Sequence, residues 1–260
     1  MNTSSSRRRA AREPSPSLSA SLAEQLATLY GLAQRSDHVF GSPLGPFEHA
    51  GRAHYVPRFV YVGPHTSDES PRLAFLAGWD HRDLRSTLAL LQLVGELVAT
   101  PSVGQSLHLA FYPCLDVLGA EAGPRRLATQ SWTQPSAPEI GLLARDARLR
   151  QYHAFIRVVS APADDVVVLR LRTGGAVSSF VPLLTSSDVD PFPVRWEMEA
   201  GTAPAAGPLS LAADLPFQPL DLEFGVPVDW SLATCREAVT SVLKRFIVRY
   251  RAFLAYGQHL

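Results

Sequence analysis

Leu18, Leu22, Leu26, Leu29 and Leu32 recur at three- and four-residue intervals, which places them along one face of a helix. Gly41 to Gly51 then reads as a loop. Two short runs rich in β-branched and aromatic residues follow, Tyr55 to Val62 and Leu73 to Ala77, separated by a cluster of Gly, Pro, Ser and Asp that reads as a turn. Leu84, Leu88, Leu91, Leu97 and Val98 mark a second helix, and Leu107 to Tyr112 a third strand after the break at Pro101 to Gly104. A strand, a helix and a strand in that order form a βαβ unit, which predicts parallel pairing and a right-handed crossover.

Further along, Ser136-Ala137-Pro138-Glu139 has the Ser-x-x-Glu form of a capping box and opens a helix through Ile140, Leu143 and Ala147. Val166 to Leu171 is a short buried strand ended by Thr173-Gly174-Gly175. Asp188 to Pro219, rich in proline, reads as an irregular excursion of short extended pieces leading to a strand at Leu220 to Phe224. Val239, Val242, Phe246, Tyr250 and Phe253 form the stripe of a last helix, Leu232 to Tyr256, which stops at Gly257. The alternation predicts an α/β fold, a three-layer sandwich with a mostly parallel or mixed central sheet flanked by helices. Residues 1 to 16, mostly Ser, Arg and Pro, have little to bury and read as a disordered tail, leaving 17 to 260 as a single domain.

Composition supports that outline and narrows the partners. The hydrophobic set makes up 46 % of 260 residues, enough for one domain that buries roughly three quarters of its unfolded surface. The 24 basic and 24 acidic residues cancel, which argues against nucleic acid or a polyanionic membrane surface as a partner. Cys114 and Cys235 are the only cysteines and lie far apart, so neither a disulfide framework nor a thiolate zinc site is available. Arg7-Arg8-Arg9 is not followed by an apolar stretch, and the longest apolar run, Leu88 to Val94, is far shorter than the ~20 residues of a membrane span. A cytoplasmic location is expected.

Ligands of open α/β sheets bind beyond the carboxyl ends of the strands. The polar residues there are Asp80-His81-Arg82-Asp83, Cys114 to Glu121, Arg172-Thr173 and, within the last strand, Glu223. His65-Thr66-Ser67-Asp68-Glu69 mixes a histidine with carboxylates but sits between two strands and reads as a solvated turn. There is no Gly-x-Ser-x-Gly elbow, phosphate-binding loop or dinucleotide glycine motif.

In order and spacing these segments resemble the zinc carboxypeptidase superfamily, in particular its succinylglutamate desuccinylase/aspartoacylase branch. Ala77-Gly78-Trp79-Asp80-His81-Arg82-Asp83-Leu84 stands where that family has Ala-Gly-x-His-Gly-Asp-Glu-Pro before a leucine-rich helix. Phe59 to Pro64 is similar to the strand that precedes it, and Tyr112 to Gly119 resembles the Pro-x-x-Asn-Pro-x-Gly segment, with Asp116 for the usual asparagine. Leu220-Asp221-Leu222-Glu223 is similar to Leu-Thr-Leu-Glu, whose glutamate is the general base or acid, so the resemblance implies Glu223 as the catalytic residue. It also implies Arg125, Arg126 and Asp116 as substrate-binding positions and a small molecule or peptide carrying a carboxylate as the ligand.

The departures bear on activity. The family binds zinc through a His and a Glu three residues apart and through a His that ends a later strand. Carried over, these positions become Asp80, Asp83 and Arg172. Arginine is never deprotonated in proteins and cannot ligate zinc, and two aspartates alone do not complete a tetrahedral site, so His81 would have to be recruited. Without a metal, Asp80, Asp83 and Glu223 repel one another, whereas a guanidinium at ~4 Å gains about 4 kcal/mol per carboxylate at an effective dielectric of ~20, before desolvation. The expectation is that Arg172 bridges Asp80 and Asp83 in place of a metal, in a non-catalytic or altered member without a cofactor. The alternative is an active zinc-dependent amide or peptide hydrolase with Glu223 as general base. For single residues the plainer roles are an N-cap for Asp83, a packed thiol for Cys114 and a strand-end arginine for Arg172.

Overall fold

The computed structural model describes residues 18–119, 127, 135–171, 191–198 and 220–257. Its centre is an eight-stranded mixed sheet in the order β1-β4-β6-β5-β7-β10-β8-β9. The strands are β1 (Val39–Gly41), β4 (Phe59–Val62), β5 (Arg72–Leu76), β6 (His108–Tyr112), β7 (Ala154–Ala161), β8 (Val167–Leu171), β9 (Val194–Met198) and β10 (Leu220–Pro227). A separate two-stranded sheet pairs β2 (Leu44–His49) with β3 (Arg52–Val56). The helices are α1 (Leu18–Ala33), α2 (Leu84–Ala99), α3 (Pro138–Arg150) and α4 (Leu232–Gly257), with a 3-10 turn at Pro101–Gly104.

The βαβ unit forms as its pattern predicts: β5 and β6 pair in parallel, with Leu73 beside Leu109 and Phe75 beside Phe111. β5 also pairs in parallel with β7, and β7 with β10. Alternation along these strands sorts their side chains between two cores. Phe75, Phe111, Ile156, Leu222 and Phe224 pack under α2 and α4, whereas Ala74, Leu76, Tyr112 and Phe155 pack against α3. Three layers result, as the central strands, apolar on both faces, require.

Several expectations need correction. Gly41 to Gly51 is not a loop; it closes β1 and contains most of the β2–β3 hairpin, whose solvent-facing positions hid the alternation. The run Tyr55 to Val62 is divided by Pro57, which lacks an N–H for a ladder, into β3 of one sheet and β4 of the other. The capping box does not form: Ala137 is the N-cap of α3 and makes no side-chain bond there, because Pro138 with its fixed φ takes the first helical position and moves Glu139 out of the third. β7 was not anticipated. β8 runs antiparallel to β10, so its end at Leu171 is level with Leu222 and Ile156. The Asp188 to Pro219 excursion contains β9, and most of the rest of it lies outside the described residues, as does the tail.

Candidate functional site

The loops that leave β5 and β6 are bound to each other through their main chains. Asp116 N–H donates to the Gly78 carbonyl at 2.8 Å, and Leu115 N–H reaches the carbonyls of Ala77 and Gly78 at 3.2 and 3.1 Å. Gly78 has φ of +64°, and a Cβ there would lie 2.7 Å from Cys114 Cα and 2.9 Å from the Pro113 carbonyl oxygen. Only glycine allows both the left-handed turn and this approach.

That lattice brings together side chains 35 positions apart in the sequence. The His81 main-chain N–H donates to Asp116 Oδ2 at 3.0 Å, and His81 Nδ1 lies 3.3 Å from the same oxygen. His81 Nδ1 is also 3.6 Å from Asp80 Oδ1. Among the described residues Asp80, His81 and Asp116 are the only three His, Cys, Asp or Glu side chains whose ligand atoms lie within 4.8 Å of one another. Asp116 is buried, while Asp80 and His81 are half-buried at the mouth. The Gly119 main chain packs closely against them: a Cβ there would come within 2.2 Å of Asp116 Oδ2 and 2.3 Å of His81 Nδ1. Both oxygens of Asp80 are held by Arg82: its Nε and main-chain N–H each donate at 2.9 Å to Oδ1, the oxygen nearest His81, and its Nη2 donates to Oδ2 at 2.5 Å. Arg82 thereby holds the Asp80 carboxyl down at about 2.

Asp83 has the N-cap role. One oxygen accepts from Ser86 N–H at 3.5 Å, the other from Ser86 Oγ and from the Ser160 main-chain N–H, both at 3.2 Å. The strand end beside Asp83 is therefore that of β7, at Ser160. Glu223, on β10, is 9 % exposed and accepts from Arg170 Nη1 at 2.8 Å, while Arg170 Nε is bound to Glu197 at 2.7 Å. Next to it, Arg157 donates from Nε and Nη2 to Asp221, a buried bidentate pair at 3.2 and 3.0 Å. Asp80, Asp83 and Glu223 are thus each paired or capped separately rather than massed in one pocket. Burial pushes the Cys114 thiol up to about 12, in keeping with a packing role.

Arg125, Arg126 and Arg172 lie outside the described residues. The proposed bridge from Arg172 to Asp80 and Asp83 does not account for their described partners, which are Arg82 for Asp80, and Ser86 and Ser160 for Asp83. Tested against zinc, positions 80, 83 and 172 do not fit: Asp80 is clasped on both oxygens by Arg82, Asp83 is engaged by three main-chain and hydroxyl donors, and arginine offers no lone pair. Sequence reasoning named Asp116 as a substrate-binding position and missed its contact with His81; the parallel pairing of β5 and β6, which makes the following loops neighbours, was the signal for it. It also missed Ser160, because β7 itself was not seen.

No family model matches the sequence, and no curated protein matches it. Solved structures do match the fold. A metallo-carboxypeptidase from Burkholderia cenocepacia aligns with a TM-score of 0.69 at 14% identity, over 88% of this chain and 69% of that one. A metallo-carboxypeptidase from Pseudomonas aeruginosa in complex with (2-guanidinoethylmercapto)succinic acid aligns with a TM-score of 0.60 at 16% identity, over 86% of this chain and 68% of that one. An aspartoacylase family protein from Mesorhizobium loti aligns with a TM-score of 0.57 at 13% identity, over 80% of this chain and 67% of that one. The mixed eight-stranded sheet with its flanking helices is the fold of these proteins.

Proposed function

We propose that this chain, which has the fold of the zinc carboxypeptidases and aspartoacylases, is an altered member of that group that binds a small carboxylate-bearing molecule or peptide without hydrolysing it. The observation that carries this reading is the state of Asp83: both of its oxygens are engaged as the cap of α2 and as the acceptor for Ser160. Binding a metal through this carboxylate would compete with the donors that hold the helix start and the strand end. Where the family resemblance calls for a histidine at the end of a strand, the strand end beside Asp83 offers Ser160, a poor zinc ligand at neutral pH.

The group expected to move protons points the same way. A general base must present its carboxylate to a water or a substrate proton within about 2.6–3.2 Å. Glu223 presents one oxygen to Arg170, in register on the neighbouring strand, and Arg170 is itself anchored by Glu197. Arg125 and Arg126 are the residues the resemblance implies for a ligand carboxylate. The metallo-carboxypeptidase from Pseudomonas aeruginosa was solved with a succinic acid derivative, ligand chemistry of the proposed class. Two buried free cysteines fit a reducing cytoplasm. No described helix is long and apolar enough to cross a membrane.

Purified protein incubated with N-acylated amino acids and short peptides, with and without added Zn²⁺, is expected to cleave none of them faster than the Glu223→Gln variant. Succinate and related dicarboxylates are expected to raise the melting temperature of the wild type and not of an R125Q/R126Q double variant. Turnover that is lost in Glu223→Gln would overturn the proposal in favour of an active metal-dependent amidohydrolase, in which Glu223 is released from Arg170 when substrate binds.

A further inference from the structure

The amino ends of β5 and β6, opposite the loops that carry Asp80 and Asp116, border a cavity of about 190 Å³. Arg72 and His108 are partners in the parallel register of the two strands, and by alternation both point to the α3 side with Ala74 and Ala110. Val60, level with Ala110 on β4, continues the floor. α3 ends at Arg150 in the cavity wall, and the left-handed turn at Gln151 brings Tyr152 in beside it. We propose that this cavity is an anion site that takes a phosphate group, free or carried by a small molecule, between Arg72 and Arg150.

The balance of charge carries the inference. Arg72 meets neutral acceptors: Nη2 donates to the Asp68 carbonyl at 2.6 Å and Nη1 to the Arg150 carbonyl at 3.4 Å. Those bonds fix the guanidinium at the cavity wall and leave three of its five N–H donors for another acceptor. Arg150 Nε lies 3.6 Å from Asp146 Oδ1, an oxygen that already accepts from Arg58. Three guanidinium groups thus stand against the buried carboxylate of Asp146 and the exposed one of Asp68. The carboxyl end of α3 adds about half a negative charge, so the balance stays positive. His153 registers the Arg72 charge: its Nδ1 accepts from the Arg72 main-chain N–H at 3.0 Å, and burial followed by that charge holds the imidazole below its ordinary value. Arg72 reaches the cavity from the sheet and Arg150 from the helix end, so their donors converge from different directions, which suits the tetrahedral oxygens of a phosphate group. The cavity is smaller than the roughly 300–1,000 Å³ of most ligand pockets, in keeping with one such group rather than a larger molecule. This inference does not rest on the non-hydrolytic reading, since it concerns the opposite ends of the strands.

Calorimetric titration of the full chain with inorganic phosphate, in a buffer free of other oxyanions, is expected to show one saturable site per chain. Affinity is expected to fall roughly 5-fold or more in Arg72→Gln and in Arg150→Gln, and to be unchanged in R125Q/R126Q. Because Arg72 ties the Asp68 turn to the end of α3, its variant can fail to fold; Arg150, with 46% of its side chain exposed, gives a second variant that keeps those bonds. The wild type adds an independent readout: phosphate should shift the ring proton resonances of His108 before those of His49 and His54 on the β2–β3 hairpin. Tighter binding of glycerol phosphate than of inorganic phosphate assigns the carried group, and the reverse assigns the free ion. Succinate bound at His108 as tightly as phosphate, affinity kept in Arg150→Gln, or affinity lost in R125Q/R126Q would overturn the site. The outcomes separate from the functional test: absence of phosphate binding leaves the lack of turnover to stand, and Glu223-dependent turnover leaves the anion site to stand.

Discussion

Asp146, on α3, is 7 % exposed and collects the strongest polar contacts of the α3 face. It accepts from Arg58 Nη1, from the Tyr112 hydroxyl, and from the Tyr152 hydroxyl at 3.0 Å. Arg58 is 5 % exposed, with Nε on the Ser42 carbonyl at 2.7 Å as its other anchor. Burial, first of all, drives both tyrosine hydroxyls far above their ordinary range, so they remain donors at any working pH. Asp146→Ala would leave a guanidinium buried without its counter-charge, which typically costs about 3–5 kcal/mol. The tyrosines retain their mutual bond at 2.9 Å and add little to that loss. Asp146→Asn keeps one acceptor oxygen but also removes the counter-charge and turns an NH2 donor toward either Arg58 or the tyrosine hydroxyls, so it is expected to cost at least about 1.5–3 kcal/mol. For a chain of this size the alanine variant should melt about 6–20 °C lower. Circular dichroism melts and urea midpoints of the wild type and both variants measure this directly. If both variants fall within about 1 kcal/mol of the wild type, the network is not the brace between α3, β6 and the approach to β4 that its geometry implies.

Two further outcomes follow from the titrating groups. Arg82 holds Asp80 down at about 2 against an ordinary value of 3.8, so the pair's stabilisation is complete above that ordinary value and is lost as pH falls towards 2. In Arg82→Gln the Asp80 titration followed by NMR should return towards the ordinary value, and an unchanged midpoint would refute the assignment to Arg82. Burial pushes Cys114 up to about 12 and Cys235 up to about 11, so neither should react with a thiol reagent at pH 8 in the native protein, and both should react in denaturant; rapid labelling of folded protein would contradict this.

Period and punctuation made much of the fold legible. The leucine stripes of α1 and α2, the long stripe of α4, and the short apolar runs of β5, β6, β8 and β10 are local signals, and each is where its pattern placed it. β7 escaped because Ala154–Ala161 carries Arg157 in an otherwise apolar run and follows α3 without a Gly or Pro break, Gln151 supplying the left-handed turn. The direction of β8 is likewise absent from its own residues, since it depends on which edge of β10 it joins. The site was legible in part. Asp80, His81, Asp83, Asp116 and Glu223 stand out as polar residues, but several of their partners are set by the sheet. Ser160 for Asp83 and Arg170 for Glu223 arise from contacts that no spacing rule carries, whereas Arg82 is a local partner of Asp80 two residues on.

The seam at Gly78 bears on how such a site changes over time. Its hydrogen bonds run between main-chain atoms of Ala77, Gly78, Leu115 and Asp116, and its one demand on a side chain is that residue 78 have none. Neighbouring positions can therefore exchange one ligand for another, or lose it, while the two loops keep their shape. A pair of loops held in this way is free to drift in side-chain chemistry at little expense in folding, so the same architecture can carry different polar residues at its strand ends.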